Sequence, residues 1–286
     1  MYGFLDPKND FAFKRVFGTE GNKEILINFL NDVLEGQHEH IEDVEFLKIH
    51  QDPEVAILRQ SIVDVLCRDS KGKTLIVEMQ CATDTHFINR AVAYACRAYL
   101  NQRTKLSDGR HSYENMRPVI FFAIMERTLF PEKSEYLSHH KVTDVYTGEN
   151  DIKNLSFSFL ELSKFNKTSI EQLDTNIEKW MYFFKNATAM DPSDVKFLEE
   201  QDRRFWSAYS ALAEYNYTPE ELLDYERYAM KQDQIATLMS DAKKLGRMEG
   251  KAEIALTMLS SGMSIEDVSK FTNLSTEDVQ KLVSCK

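Results

Sequence analysis

The sequence is poor in the residues and segments that mark several whole classes of protein. Its 286 residues include only 10 glycines and 6 prolines, which excludes collagen-like and low-complexity chains. The longest apolar runs, such as Val119 to Met125, are far shorter than the roughly 20 residues of a membrane-spanning helix. The N-terminus has no basic stretch followed by an apolar one, so we expect no secretory signal peptide. These absences predict a cytoplasmic protein without a membrane partner.

Cysteine is also scarce, and the 35 basic residues are outnumbered by 46 acidic ones. The 4 cysteines form no Cys-x-x-Cys pair, and no histidine has the spacing that would complete a zinc site. We therefore expect reduced and mostly buried thiols. The net charge of −11 argues against unspecific nucleic-acid binding over the whole surface.

Apolar residues, in contrast, recur with the periods of helices and strands. They make up 43% of the sequence, enough for a sizeable core. A helix is predicted over 7–17, with Pro7 in its first turn and Gly18 at its end. Further helices are predicted over 22–34, 86–102, 170–187, 193–215, 219–260 and, as two short helices, 264–283, and strands over 41–49, 61–67, 74–80, 118–125, 141–146 and 155–162.

The predicted strands end near residue 165, and the remainder of the chain is helical. This order predicts an α/β domain over residues 1–168 and an α-helical C-terminal region over 169–286. The last two helices are predicted to begin after Ser264 and Ser275, which are good N-cap residues. Two short helices joined by a turn resemble a helix-turn-helix unit.

Two neighbouring predicted strands, 61–67 and 74–80, each contain one acid among apolar residues. Their link is polar and contains Gly72, so it suits a hairpin. In an antiparallel pair, Asp64 and Glu78 can meet at one edge of the sheet. A buried carboxylate is costly unless it is paired or binds a metal. Two that converge therefore indicate a divalent cation and a metal-dependent enzyme.

The residues that follow Glu78 extend this candidate site. Glu78 and Gln80 are two apart, so on one strand their side chains share a face, while the carbonyl of Met79 can face the cation. A hydrolytic nuclease needs a metal that polarises the phosphate and lowers the pKa of the attacking water. Gln80 cannot act as a base, and we expect it to position water or to contact phosphate.

The only clearly basic block of the sequence begins directly after Glu78. Residues 81–133 carry eight basic and five acidic side chains, and most of the basic ones are arginines. A basic surface beside a metal-binding acid pair fits a phosphodiester substrate. A solvated helix face is the alternative explanation.

Several short motifs follow one another in an ordered series. They are Asp10-Phe11-Ala12-Phe13-Lys14, Val16-Phe17-Gly18, Val63-Asp64-Val65-Leu66-Cys67 and Val77-Glu78-Met79-Gln80, then Phe87, Arg90, Tyr94, Gln102, Gly109 and Tyr113, and finally Pro118-Val119-Ile120 and Glu161-Leu162-Ser163-Lys164-Phe165. Through this series the chain resembles the PD-(D/E)xK nuclease family transposases, also called recombination-promoting nucleases, over roughly residues 4–190.

The resemblance implies a restriction-endonuclease-like core with a mixed central sheet. It also implies a divalent-metal DNA endonuclease that is linked to recombination or mobile elements and, in some members, to phage defence. Asp64 and Glu78 carry over as metal ligands and Gln80 as the third catalytic position, where many relatives of the fold use lysine. The expected ion is Mg²⁺, with Mn²⁺ or Ca²⁺ as alternatives, and the expected partner is DNA.

Four further residues match the family with less defined roles in DNA binding or in support of the site. Asp10 and Lys14 belong to the N-terminal motif, and Arg90 and Gln102 belong to the basic block. A residue at the start of a helix is the alternative for Asp10, and a salt bridge within the fold is the alternative for Arg90.

Other functions and partners remain open. A catalytically inactive DNA- or protein-binding module would keep the fold, and a transposase in the strict sense would join DNA as well as cut it. The nearly neutral C-terminal helices favour packing, dimerisation or a partner contact over base reading. Apolar positions such as Ile235, Leu238 and Leu245 predict a homodimer. The acidic segment 191–241 is a possible contact for a regulatory protein, and a solvated face is the alternative.

Overall fold

The computed structural model describes residues 3–47, 63–81, 84–105, 111–191, 196 and 202–284. Helices and strands alternate in the first part of this chain, and helices alone make up the second. The helices described are α1 (Asp10–Phe17), α2 (Lys23–Val33), α3 (Phe87–Leu100), α4 (Asn176–Asn186), α5 (Arg203–Leu212), α6 (Pro219–Ser260), α7 (Ile265–Thr272) and α8 (Thr276–Ser284). The strands described are β1 (Val44–Phe46), β2 (Val65–Asp69), β3 (Thr74–Gln80), β4 (Thr104–Lys105), β5 (His111–Ser112), β6 (Val119–Met125), β7 (Leu137–Lys141) and β8 (Leu155–Glu161).

Six of these strands form one mixed sheet, which confirms the predicted fold class. Their order is β1-β2-β3-β6-β8-β7, and β4 pairs separately with β5. Strands β3, β6 and β8 are parallel to one another, whereas β1, β2 and β7 are antiparallel to their neighbours. The hairpin predicted between β2 and β3 is present. Gly72 in its turn has φ +84°, a conformation that favours glycine.

Helices cover both faces of the sheet. On one face α1, α2, α4 and α5 pack on Leu75 and Val77 of β3, around a core that includes Trp180. On the other face Phe87 of α3 packs against a second core that includes Ile76. Neighbouring residues of β3 therefore enter different cores. This explains why its sequence is a continuous apolar run, and the same holds for β6.

Helix α1 begins later than predicted. Pro7 lies before the helix, and Asn9 is the N-cap, since its side chain accepts hydrogen bonds from the N–H groups of Phe11 and Ala12. Asparagine is among the best N-cap residues. The helix ends at Gly18, as predicted.

Strand β7 also differs from the prediction of a strand over 141–146. The strand is Leu137–Lys141, because Asp144 accepts hydrogen bonds from the following N–H groups and starts a turn that contains Gly148 at φ +75°. His139 is half-buried within this strand.

Two predicted helices are shorter in the structure. The helix predicted over 170–187 is interrupted, because Thr175 and Glu178 form a capping box that starts α4 at Asn176. The helix predicted over 193–215 is represented by α5, and part of its predicted range lies outside the described residues. The two-residue strands β4 and β5 were not predicted.

A buried ion pair fastens the end of β8 to the loop that follows β6. Glu161 is 0% exposed and lies 2.7 Å from the ammonium of Lys164. The same carboxylate accepts hydrogen bonds from the N–H groups of Leu129 and Phe130, and Lys164 also donates to the carbonyls of Phe130 and Glu135. Because every partner is satisfied within the fold, the pair holds this loop in place.

The chain forms two compact units, Met1–Tyr228 and Ala229–Lys286. The division predicted after residue 168 falls inside the first unit and remains a prediction about independently folding parts. In the second unit a small core joins Ala255 to residues of α7 and α8. Of the helices described, none is long and apolar enough to cross a membrane.

Candidate active site

Asp64 lies immediately before β2, rather than in mid-strand as predicted from the run 61–67. The ladder between β2 and β3 stops at the pair Val65–Val77, so the next position in register sets Asp64 opposite Glu78. Its Oδ2 accepts a hydrogen bond of 3.0 Å from the N–H of Met79. The carboxylate of Asp64 thus bonds to β3 where the next backbone hydrogen bond between the two strands would be. Its other oxygen, Oδ1, takes no part in this bond.

Glu78 is an acid almost enclosed by the fold. The residue is 8% exposed, and within the described part of the chain its Oε1 is buried without a hydrogen-bond partner. Burial, and next the negative charge of Asp64, raise the pKa of Glu78 well above its ordinary value, against the opposing effects of Arg90 and Lys14. A buried carboxylate oxygen without a donor is costly, and a bound cation would satisfy it.

The carbonyl of Met79 faces the same edge as Asp64. Within a strand, the N–H and C=O of one residue point to one side, and successive residues alternate. The N–H of Met79 points to Asp64, whereas the carbonyl of Gln80 points to β6, where it accepts a hydrogen bond from Glu126. The Met79 carbonyl is therefore available on the side of the acid pair.

Gln80 is oriented by an arginine of helix α3. Arg90 donates a hydrogen bond of 2.7 Å to Oε1 of Gln80 and pairs through its other nitrogen with Asp84. Arginine has donors only, so Gln80 must turn its oxygen toward Arg90. The NH₂ of Gln80, a donor, consequently points away from Arg90. Asp84 has no role in the sequence prediction, because nothing in the sequence marks it as the partner of Arg90.

Lys14 reaches the acid pair from a different helix. It belongs to α1, which packs on the face of the sheet opposite to α3. Its ammonium lies 3.2 Å from Oδ1 of Asp64. Gln80 and Arg90 therefore lie on one face of the sheet, and Lys14 approaches from the other face. Asp64, just before β2, lies between them.

Of the two remaining predicted residues, Asp10 starts α1, the helix of Lys14, and Gln102 lies far from the acid pair. Burial raises the pKa of the thiol of Cys81, the residue after β3, and the charge of Asp10 is a smaller cause. Gln102 bonds to Thr74 and to the backbone of Arg117. Thr74 begins β3 and Gln80 ends it, a separation of about 20 Å at roughly 3.3 Å per residue. The structure thus places Gln102 at the opposite end of the strand.

The donors at this edge suit a hard divalent cation. Asp64, Glu78 and the Met79 carbonyl offer oxygen ligands only, and Mg²⁺ is commonly held by one or two carboxylates together with water and substrate phosphate. The Oε1 of Glu78, which has no hydrogen-bond partner among the described residues, supports the same fit. Within the described ranges, no group of three or more His, Cys, Asp or Glu side chains is arranged to hold a metal, so among these residues a backbone carbonyl would be needed beside the two carboxylates.

Two family models match successive parts of the chain. The first, described as PD-(D/E)XK nuclease family transposase, matches residues 7–241. The chain belongs to this family. The second, described as the C-terminal HTH domain of the Rpn/YhgA-like nuclease family, matches residues 248–284. No curated protein and no solved structure matches the chain.

Membership of the PD-(D/E)XK family confirms the resemblance read from the sequence and gives the mixed sheet its fold family. Nucleases of this kind generally use divalent metals, which agrees with an oxygen-only site. The match to an HTH domain covers α7, α8 and the end of α6. Asn273, between α7 and α8, has φ +53°, and asparagine tolerates this left-handed conformation better than most residues.

Replacing Arg90 by methionine is expected to lower DNA cleavage by about tenfold to a hundredfold, the range for loss of one hydrogen bond to a charged group. The reason is that Gln80 loses the donor that orients it. The affinity for Mn²⁺ should not fall, since the acid pair is intact and a competing positive charge has been removed. Cleavage rates and calorimetry measure the two quantities, with Arg97→Met on the same helix as the control. A parallel loss of Mn²⁺ affinity would assign Arg90 to the metal site instead.

Proposed function

We propose that this PD-(D/E)XK family member is a divalent-metal-dependent DNA endonuclease that hydrolyses phosphodiester bonds. The observation that supports this most is the Oε1 of Glu78, which is buried without a hydrogen-bond partner among the described residues and lies beside Asp64 where the pairing of β2 with β3 ends. The recombination and phage-defence roles implied by the family resemblance remain predictions.

Asp64, Glu78 and the Met79 carbonyl would hold the ion, which we propose to be Mg²⁺, with Mn²⁺ or Ca²⁺ as alternatives. When bound, such an ion polarises the phosphate and lowers the pKa of the attacking water. Gln80, turned by Arg90, offers its NH₂ to a phosphate oxygen or to a lone pair of that water. It neither accepts the proton nor binds the metal through the oxygen that Arg90 holds.

Cleavage of supercoiled plasmid tests this function. We expect nicked or linear product with Mg²⁺ or Mn²⁺ and none with EDTA. Asp64→Ala and Glu78→Ala should each lower the rate by more than about a hundredfold, because each removes a metal ligand. Glu39→Gln, which changes an acid that pairs with Lys71 and Lys73, is the control. Full activity in either alanine variant would overturn the assignment.

The inactive binding module and the strict transposase are separated from this function by two further assays. If calorimetry shows no Mn²⁺ binding to the wild-type protein, the binding module is favoured. If pre-cleaved DNA ends are joined to a target, the protein is a transposase in the strict sense.

A homodimer and a regulatory protein partner are proposals for the C-terminal region. Ile235, Leu238 and Leu245 are exposed on α6, and a second copy of the helix would cover them. A stable monomer at micromolar concentration in analytical ultracentrifugation would exclude the dimer.

DNA contact by the HTH domain is also a proposal. The first turn of α8 carries Glu277 and Asp278. If this helix entered the major groove, these two acids would lie close to phosphate and weaken the contact.

A further inference from the structure

The proposed active site has no cation on strand β3. Its third position is Gln80, a neutral amide, and Arg90 is engaged with Gln80 and Asp84. Hydrolysis of a phosphodiester adds negative charge to the phosphate, and a fixed positive charge beside it stabilises the transition state. A cation from elsewhere in the fold would add to the charge that a bound metal supplies. This inference rests on the proposed function.

Lys14 is placed to supply that charge. Its ammonium lies 3.2 Å from Oδ1 of Asp64, at the acid pair. The neighbouring Phe13 is fully buried in the core and fixes the helix, while the Lys14 side chain remains 32% exposed at the rim. A lysine whose backbone is held in place and whose ammonium is accessible is able to reach a phosphate that binds at the acid pair.

A purely structural role explains this position less well. Asp64 is already held by the N–H of Met79, so Lys14 is not required to orient it. An ion pair whose lysine side chain is 32% exposed contributes little to stability. Lys14 also reaches the site from the face of the sheet opposite to Gln80, so it would contact a different side of the bound phosphate.

We propose that Lys14 is the phosphate-binding cation of the active site: its ammonium contacts the scissile phosphodiester of DNA and supplies the charge that position 80 lacks. It pairs with Asp64 in the metal-free protein and turns to the phosphate when DNA and the metal are bound. Lys14 is then a catalytic residue, because it touches the substrate.

The salt dependence of DNA binding tests this contact without relying on cleavage. Binding of a labelled duplex is measured with Ca²⁺ at several salt concentrations, and a gel confirms that the duplex stays uncut. For Lys14→Gln we expect the slope of log K against log[salt] to fall by about 0.9, the value for one phosphate contact. Lys14→Arg should keep the slope. Lys23→Gln is the matched control, since Lys23 is similarly exposed and pairs with Asp43.

Metal binding and cleavage provide the second readout. We expect Lys14→Gln to bind Mn²⁺ at least as tightly as the wild type, and up to about tenfold more tightly, because a competing positive charge has been removed. Its cleavage rate should nevertheless fall by about a hundredfold, with partial recovery in Lys14→Arg. An unchanged salt slope, with Mn²⁺ affinity and cleavage lowered together, would overturn the proposal and leave Lys14 as a residue that only positions Asp64.

The proposed nuclease function and the proposed role of Lys14 can be disproved separately. If the wild-type protein cleaves no DNA with any divalent metal, the proposed function is wrong, and the salt slope still decides whether Lys14 contacts phosphate. If the wild type cleaves and Lys14→Gln cleaves equally well with the same salt slope, the nuclease assignment stands and the role of Lys14 is wrong.

Discussion

Replacing Glu78 by glutamine is expected to stabilise the metal-free protein while it abolishes DNA cleavage. The carboxylate is buried beside Asp64, and both effects raise its pKa, so its ionised form costs stability. A neutral amide of the same size avoids this cost and can donate a hydrogen bond to Asp64. The gain should be about 1–3 kcal/mol, or roughly 2 to 4 °C in Tm for each kcal/mol. Thermal unfolding in EDTA measures it.

The pH dependence of this gain has a definite sign. The folded-state pKa of Glu78 lies above the ordinary value of 4.5, so below pH 4.5 the acid is neutral in both states and costs nothing. The advantage of Glu78→Gln should therefore appear as the pH rises above about 4.5 and level off beyond the folded-state pKa. A gain that is largest in acid would contradict this explanation.

Metal should reverse the order of stability. Binding at a thousand times Kd adds about 4.1 kcal/mol to the unfolding free energy, more than the expected advantage of Glu78→Gln, and only the wild type keeps both acids. Mn²⁺ should therefore raise the Tm of the wild type and leave that of Glu78→Gln almost unchanged. If Glu78→Gln is less stable than the wild type in EDTA, Glu78 stabilises the metal-free fold and its buried oxygen does not require a cation.

Replacing Glu161 by alanine is expected to lower the free energy of unfolding by about 3–5 kcal/mol, because it leaves the ammonium of Lys164 buried without its partner. It also removes the acceptor of two backbone N–H groups. The Tm should fall by roughly 6 to 20 °C, at about 2 to 4 °C per kcal/mol. Denaturant and thermal unfolding check this directly.

Two variants control for this interpretation. Asp174→Ala removes a carboxylate that pairs with Lys167 but is 82% exposed, and it should change stability by less than about 1 kcal/mol. The double variant Glu161→Gln with Lys164→Met removes both charges and should lose less than the sum of the single changes. If Glu161→Ala is as mild as Asp174→Ala, the buried pair does not hold the loop.

The sequence was sufficient to predict the parts of the fold that depend on local periodicity. Strand β3 lies where its apolar run predicted it, because burial on both faces specifies it. Helix α6 also lies in its predicted range, although Ala255 alone of its described residues is buried. Strand β7 was misplaced. It lies at an edge of the sheet, where His139 and His140 can occupy strand positions that carry no apolar signal.

The candidate site was predictable only along strand β3 and its hairpin partner. Asp64 and Glu78 stood out as acids in apolar runs, and the predicted hairpin sets them opposite each other. The contacts of Lys14 with Asp64 and of Arg90 with Gln80 depend on how helices dock on the two faces of the sheet, which no local pattern specifies. Gln102 lies at the far end of β3, which its place in the motif series did not show.

A crystal structure of the protein soaked with Mn²⁺ tests the central claim most directly, because anomalous scattering locates the ion without reference to activity. We predict one strong peak between the carboxylates of Asp64 and Glu78, with the carbonyl of Met79 as a further ligand. Absence of a peak there in crystals saturated with Mn²⁺, or a peak only elsewhere, would contradict the account.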